Sequence, residues 1–141
     1  MEDKIFGKMT FRYGWTKTEV IELWGRSYEL RIRTSSGQNE LPNEKQQVAY
    51  TTFKKNLHKM EDLKESVIKF ILNYSDEIKE LLGDNSLNTP IDLIVPKEVL
   101  FFQNGKYAII FDTKWSEAGM AILYSGNKIE IDESYILEYE S

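Results

Sequence analysis

The chain has 141 residues, with 18 Lys and Arg against 23 Asp and Glu and a net charge of −5. That length holds one domain with a full core and is too short for two ordinary ones. The absence of cysteine excludes disulfides, thiolate catalysis and cysteine-held zinc or iron–sulfur centres, and the acidic balance argues against nucleic acid as a partner.

Ile5 to Tyr13 carries the β-formers Ile5, Phe6, Thr10, Phe11 and Tyr13 and predicts a strand broken at Gly14. Lys17 to Trp24 predicts a second strand closed by Gly25, and Ser27 to Thr34 a third, joined by a hairpin at Gly25-Arg26. In the third, Tyr28, Leu30 and Ile32 alternate with Glu29, Arg31 and Arg33. One dry and one wet face imply an antiparallel sheet. Ser35 to Asn43 reads as a loop, with Asn43 placed to cap a helix from Glu44. Ala49, Phe53, Leu57 and Met60 recur at helical spacing. Glu61-Asp62 predicts a kink, with Asp62 and Glu65 resembling a capping box.

A second helix follows. Leu63, Val67, Phe70, Ile71, Tyr74, Ile78, Leu81 and Leu82 fall on one face, Ser75-Asp76 is a point of interruption, and Gly83 suits the stop. Ile91 to Val95 predicts a brief strand that Pro96 keeps at an edge or ends. Val99 to Gln103 should pair with Lys106 to Phe111 through a two-residue Asn104-Gly105 turn. Tyr107 to Phe111 and Met120 to Tyr124 are continuous apolar runs, as in strands covered on both faces. Trp115 to Gly119 lies between them as a loop, and Ser125-Gly126-Asn127 is a turn. Lys128 to Asp132 predicts a last strand with Ile129 and Ile131 inward. Tyr135, Ile136 and Leu137 can pack from the acidic tail that ends at Ser141. Strands, then helices, then strands specify an α+β fold: an antiparallel sheet, made of an N-terminal three-strand meander and C-terminal hairpins, with two central helices on one face.

Charge is unevenly placed. Lys and Arg outnumber Asp and Glu 11 to 7 through Met60 and are outnumbered 7 to 16 from Glu61 onward. The second half can therefore steer a basic partner. No run spans a bilayer, and the N-terminus lacks the apolar stretch of a secretion signal, so the expectation is a cytoplasmic protein with no membrane partner.

Few residues suggest chemistry. His58 is the lone histidine and has no partner pattern that would orient it as a base. Ser116 lies in no Gly-x-Ser-x-Gly elbow. Asp112 and Glu117 flank one loop and offer a pair of carboxylates for a pocket, though turn residues more often cap backbone. Glu130, Asp132 and Glu133 supply oxygen ligands without the spacing of a calcium loop. They suit an acidic edge that discourages aggregation. Trp15 and Trp115 are candidate interface anchors, or else cap the ends of the core. Nothing in the pattern calls for a metal or cofactor.

Gln47, Ala49 and Phe53 on the first helix, Pro96 ahead of a hairpin, and Trp115, Glu117 and Gly119 before a hydrophobic strand together resemble a loose group of small bacterial domains of unknown function. That group often has Asp and His where this chain has Ser116 and Ala118. Some of its members look like immunity-type proteins, which bind and neutralise a toxin. The resemblance favours a binding role; with the lack of a catalytic constellation, the acidic second half and the candidate anchors, the expectation is a non-catalytic protein-interaction domain with a basic partner, its contacts drawn from Trp15, Trp115, Glu117, Glu130, Asp132 and Glu133. The alternative is a small-ligand or hydrolytic site near Asp112 and Glu117, with help from His58. Either is compatible with a monomer or with a homodimer through a sheet edge.

Overall fold

A computed structural model describes residues 1–138. It is α+β, with seven strands in one sheet, hydrogen-bonded in the order in which they follow one another along the chain. A separate two-stranded ribbon pairs β1 (Glu2–Asp3) with β2 (Gly7–Lys8). The expected first strand is thus broken, because the Asp3 carboxylate accepts from the amides of Ile5 and Phe6, both at 2.9 Å, and turns the chain. Only β3 (Thr10–Phe11) of that segment joins the main sheet.

β4 (Trp15–Leu23) and β5 (Arg26–Thr34) form a long antiparallel hairpin. Leu30 and Ile32 are buried while Glu29 and Arg31 are exposed, as the alternation requires. The turn lies one residue earlier than expected. Trp24 (φ +51°) and Gly25 (φ +77°) are its central pair, the left-handed geometry that matches strand twist. A tryptophan pays about 1–2 kcal/mol for this conformation. Burial offsets it: the indole stacks on Phe111 at 5.9 Å and its Nε1 donates to Met60 O at 2.9 Å.

Three helices, not two, connect β5 to β6. α1 (Glu44–Lys55) starts at a reciprocal cap in which Asn43 accepts from the Gln46 amide and Gln46 accepts from the Asn43 amide. Ala49, Tyr50 and Phe53 pack inward. A 3-10 segment, Leu57–Leu63, leads to α2 (Lys64–Leu72) and then α3 (Ser75–Leu82). The Asp62 cap does not form; Leu63 holds that position without a side-chain bond. The helix breaks at Asn73-Tyr74, where Tyr74 leaves the helical path and its hydroxyl donates to Glu133 at 2.7 Å.

The expected strand at Ile91 is a 3-10 turn, Pro90–Leu93, followed by β6 (Ile94–Phe101). β6 lies parallel to β5 from Glu98 to Phe101, the single parallel pairing among the described strands. Pro96 is tolerated because that stretch pairs only with β7, at a register shift between Pro96 and Glu98. β7 (Tyr107–Thr113), β8 (Ser116–Ser125) and β9 (Lys128–Glu133) complete an antiparallel meander. The turn before β7 has three residues rather than two. The Gly105 amide donates to Phe102 O at 3.0 Å and the Phe102 amide to Lys106 O at 2.9 Å, and only Gly105 is left-handed.

The main core lies between the helices and one face of the sheet, with Phe53, Met60, Val67, Ile71 and Ile78 against Leu30, Ile32, Val99, Phe101, Ile109, Phe111, Met120 and Ile122. On the opposite face Leu100, Phe102, Ala108, Ile110 and Leu123 are buried as a second cluster, onto which Ile136 and Leu137 pack. Both apolar runs in the C-terminal meander are covered on two sides, as their composition predicts. The tail expectation beyond Glu138 lies outside the described residues.

Candidate functional site

Strand parity sorts the residues of β9. Its register pairs Tyr124 with Ile129, Ile122 with Ile131 and Met120 with Glu133, so Ile129, Ile131 and Glu133 face the helices. Lys128, Glu130 and Asp132 face the opposite side. The helices do not reach β9 fully. Ile129 lies on the inward face as expected but is left uncovered, with 44 % of its surface accessible. The three predicted acids therefore do not form one cluster. Glu133 is held by Tyr74, Asp132 accepts from the Tyr135 hydroxyl at 3.2 Å, and Glu130 pairs with Lys128 at 3.2 Å. Among the described residues no group of three or more His, Cys, Asp or Glu is placed to hold a metal.

A trough follows the gap between the helices and β9. One groove of about 390 Å³ is lined by Leu63, Lys69, Phe70, Ile129 and Ile131. Through Phe70 it adjoins a second of about 240 Å³, formed by Tyr74, Glu77, Trp115, Ala118 and Glu133. Trp115 is half-buried there, its ring 5.6 Å from that of Tyr74. Burial, then the hydrogen bond to Glu133 and its charge, push the Tyr74 phenol up to about 12. Glu117 is exposed beside this end, on the irregular start of β8. Trp15 belongs to another region. It sits on β4, five strands from β9, about 24 Å across the sheet at typical spacing. It is half-buried, edge-on to Phe11 at 5.3 Å, and its Nε1 donates to Glu40 O at 2.7 Å.

The alternative pocket does not assemble. Asp112 pairs with Lys97 at 3.0 Å on the face away from the helices. Neither Asp112, Glu117 nor His58 lines any of the grooves described here. His58 is exposed in the 3-10 segment after α1.

The structure adds a feature that sequence reasoning missed. Between α1, the 3-10 segment and the β7–β8 hairpin lie two adjoining grooves, of about 330 Å³ and 500 Å³, which share Thr52, Tyr107, Tyr124 and Gly126. The rings of Tyr107 and Tyr124 stack at 4.6 Å and 9°. Tyr124 is the cross-strand partner of Tyr107, so both project to the helix side. The Tyr124 hydroxyl reaches Met60 Sδ at 2.9 Å. Burial raises both phenols, Tyr107 to about 12. The available signal was positional: each tyrosine ends an apolar run next to a hairpin turn.

A separate polar cluster ties α1 to β4. Glu19 Oε1 accepts from the Tyr50 hydroxyl at 2.6 Å and from Lys54 at 3.1 Å, with Lys17 at 3.3 Å. Burial alone would raise the Glu19 carboxyl, but the Tyr50 and Lys54 hydrogen bonds and the two lysine charges leave it below its ordinary value. These contacts hold elements together rather than line a groove.

No family model matches the chain, and neither the curated proteins nor the solved structures contain a match. Among the described residues no helix is long and apolar enough to cross a membrane.

Proposed function

We propose that this is a non-catalytic protein-interaction domain of immunity type, which receives an extended basic segment of its partner along β9. The observation that supports the reading is the construction of that strand. β9 ends the sheet, and its outer edge pairs with no other strand among the described residues. Free backbone donors and acceptors on such an edge accept an added strand. Glu130 and Asp132 stand on one face, and Ile129 and Ile131 line the trough on the other. The complementary ligand alternates Lys or Arg with apolar residues, its cations over Glu130 and Asp132 and its apolar side chains in the trough. Trp115 and Glu133 close the far end.

The test uses the full chain and the double variant Glu130→Lys/Asp132→Lys as parallel baits in a lysate of the source cell, at low and high salt, followed by affinity measurement on a purified captured protein. A basic partner should bind the native chain at low salt, weaken at high salt, and lose about tenfold in affinity to the double variant. Equal binding to both baits, or binding indifferent to salt, would refute the role of β9.

A further inference from the structure

We propose that the groove beneath α1 binds a small, uncharged, flat aromatic molecule carrying a hydrogen-bond acceptor, anchored by the hydroxyl of Tyr107. This stands apart from the partner reading, since it rests on different residues. Tyr107 is only 6 % exposed, yet its hydroxyl has no hydrogen-bond partner among the described residues. It is also not sealed away like the unpartnered Thr34 Oγ1; Tyr107 lines both adjoining grooves. The hydroxyl is therefore a donor that no protein group occupies, open to the grooves on a side chain otherwise buried, and an incoming acceptor can take it up. Because burial keeps this phenol protonated well past neutral pH, the group acts as a donor, and the ligand must supply an acceptor.

The lining defines the rest of the ligand. Phe53, Tyr107 and Tyr124 present aromatic surface, with the Met60 thioether beside them, which favours a flat ring system. The polar neutral residues Thr52, Asn56 and Asn127 line the grooves, and their side chains make no hydrogen bonds to protein among the described residues. Lys59 and Asp62 lie opposite in sign, so the site has no net preference for an ion. The volumes, about 330 Å³ and 500 Å³, fall within the range of small-molecule sites, roughly 300–1,000 Å³.

The test follows backbone amide resonances of the full chain during titration with three probes of similar size. 4-Quinolone is neutral with a carbonyl acceptor, indole is neutral without one, and quinoline-4-carboxylate is an anion. The quinolone should shift amides in α1, around Gly105 to Tyr107 and around Tyr124 to Asn127, and should bind more tightly than the other two. Tyr107→Phe keeps the ring stack and removes a hydroxyl that bonds nothing in the protein, so its melting temperature should match the native chain. Its affinity for 4-quinolone should fall about fivefold, the worth of one neutral hydrogen bond, while its affinity for indole stays unchanged. Absence of groove shifts with 4-quinolone at millimolar concentration, or equal quinolone affinity in the native chain and Tyr107→Phe, would overturn the proposal.

Discussion

Gln46→Ala tests how α1 is fastened to the sheet, and with it the wall of the groove. Gln46 is fully buried. Its side chain accepts from the Asn43 amide at 2.9 Å and the Ser36 hydroxyl at 3.1 Å, and donates to Phe101 O at 3.0 Å. Truncation removes all three bonds. Phe101 O keeps a partner in the Ser35 amide at 3.0 Å, but Ser36, itself buried, loses its acceptor. At about 1 kcal/mol per bond, with the void left by the missing side-chain atoms, the cost sums to about 3–4 kcal/mol. That corresponds to a melting temperature lower by about 10 °C. Asn43→Ala removes the other half of the cap from an exposed site and should cost about 1 kcal/mol. Urea unfolding followed by tryptophan fluorescence measures both. If Gln46→Ala falls within 1 kcal/mol of the native chain, or costs no more than Asn43→Ala, the side chain does not anchor the helix as argued.

Gly14→Ala and Gly25→Ala form a matched pair. Both positions are left-handed, at φ +122° and +77°, but a Cβ at Gly25 meets nothing within 4 Å whereas one at Gly14 lies 2.1 Å from the Thr34 carbonyl oxygen. Gly25→Ala should cost about 1–2 kcal/mol, and Gly14→Ala more than about 3 kcal/mol, since backbone must move. Equal urea midpoints would refute the steric account. For Glu19, the folded pKa lies below the ordinary carboxylate value. Its contribution is therefore present above the unfolded pKa and lost as pH falls through the folded one. Glu19→Gln should flatten the decline in urea midpoint between about pH 6 and about pH 3 relative to the native chain; parallel profiles would contradict that linkage.

What was legible in the sequence was local. Asn43 announced a helix start because a short side chain ahead of a periodic segment has one strong use, and it caps α1 as expected. Tyr28, Leu30 and Ile32 displayed their sheet face through period two. Elements decided by distant contacts were not legible. Trp24 enters a turn against its own preference because Phe111 and Met60, far along the chain, receive its ring and indole N–H. The interruption expected at Ser75-Asp76 is found, with α3 starting at Ser75, but the Tyr74–Glu133 contact beside it was not legible. The parallel contact of β5 with β6 joins strands separated by all three helices. The tyrosine-lined groove needed the β7–β8 register and the course of α1 together, and neither can be read from Tyr107 or Tyr124 alone.

Chain order also explains why the β9 edge is left open. The helices are inserted between β5 and β6, and α2 reaches across to β9 without closing the trough beside Ile129. β9 is both the last strand in sequence and the last in the sheet. The segment that follows it, Ser134–Leu137, turns to the opposite face, where Ile136 and Leu137 cover the second cluster. No described element remains to close the β9 edge or fill the trough beside Ile129. An exposed edge of this kind invites unwanted pairing. Lys128, Glu130 and Asp132 on its outer face guard it against apolar strands. The carboxylates Glu130 and Asp132 leave it open to a strand of opposite charge, so they serve both the protection against aggregation and the selectivity for a basic partner. The Glu130→Lys/Asp132→Lys variant should therefore lose the basic partner while keeping a charged, aggregation-resistant edge, which separates a specific loss of binding from a general loss of solubility.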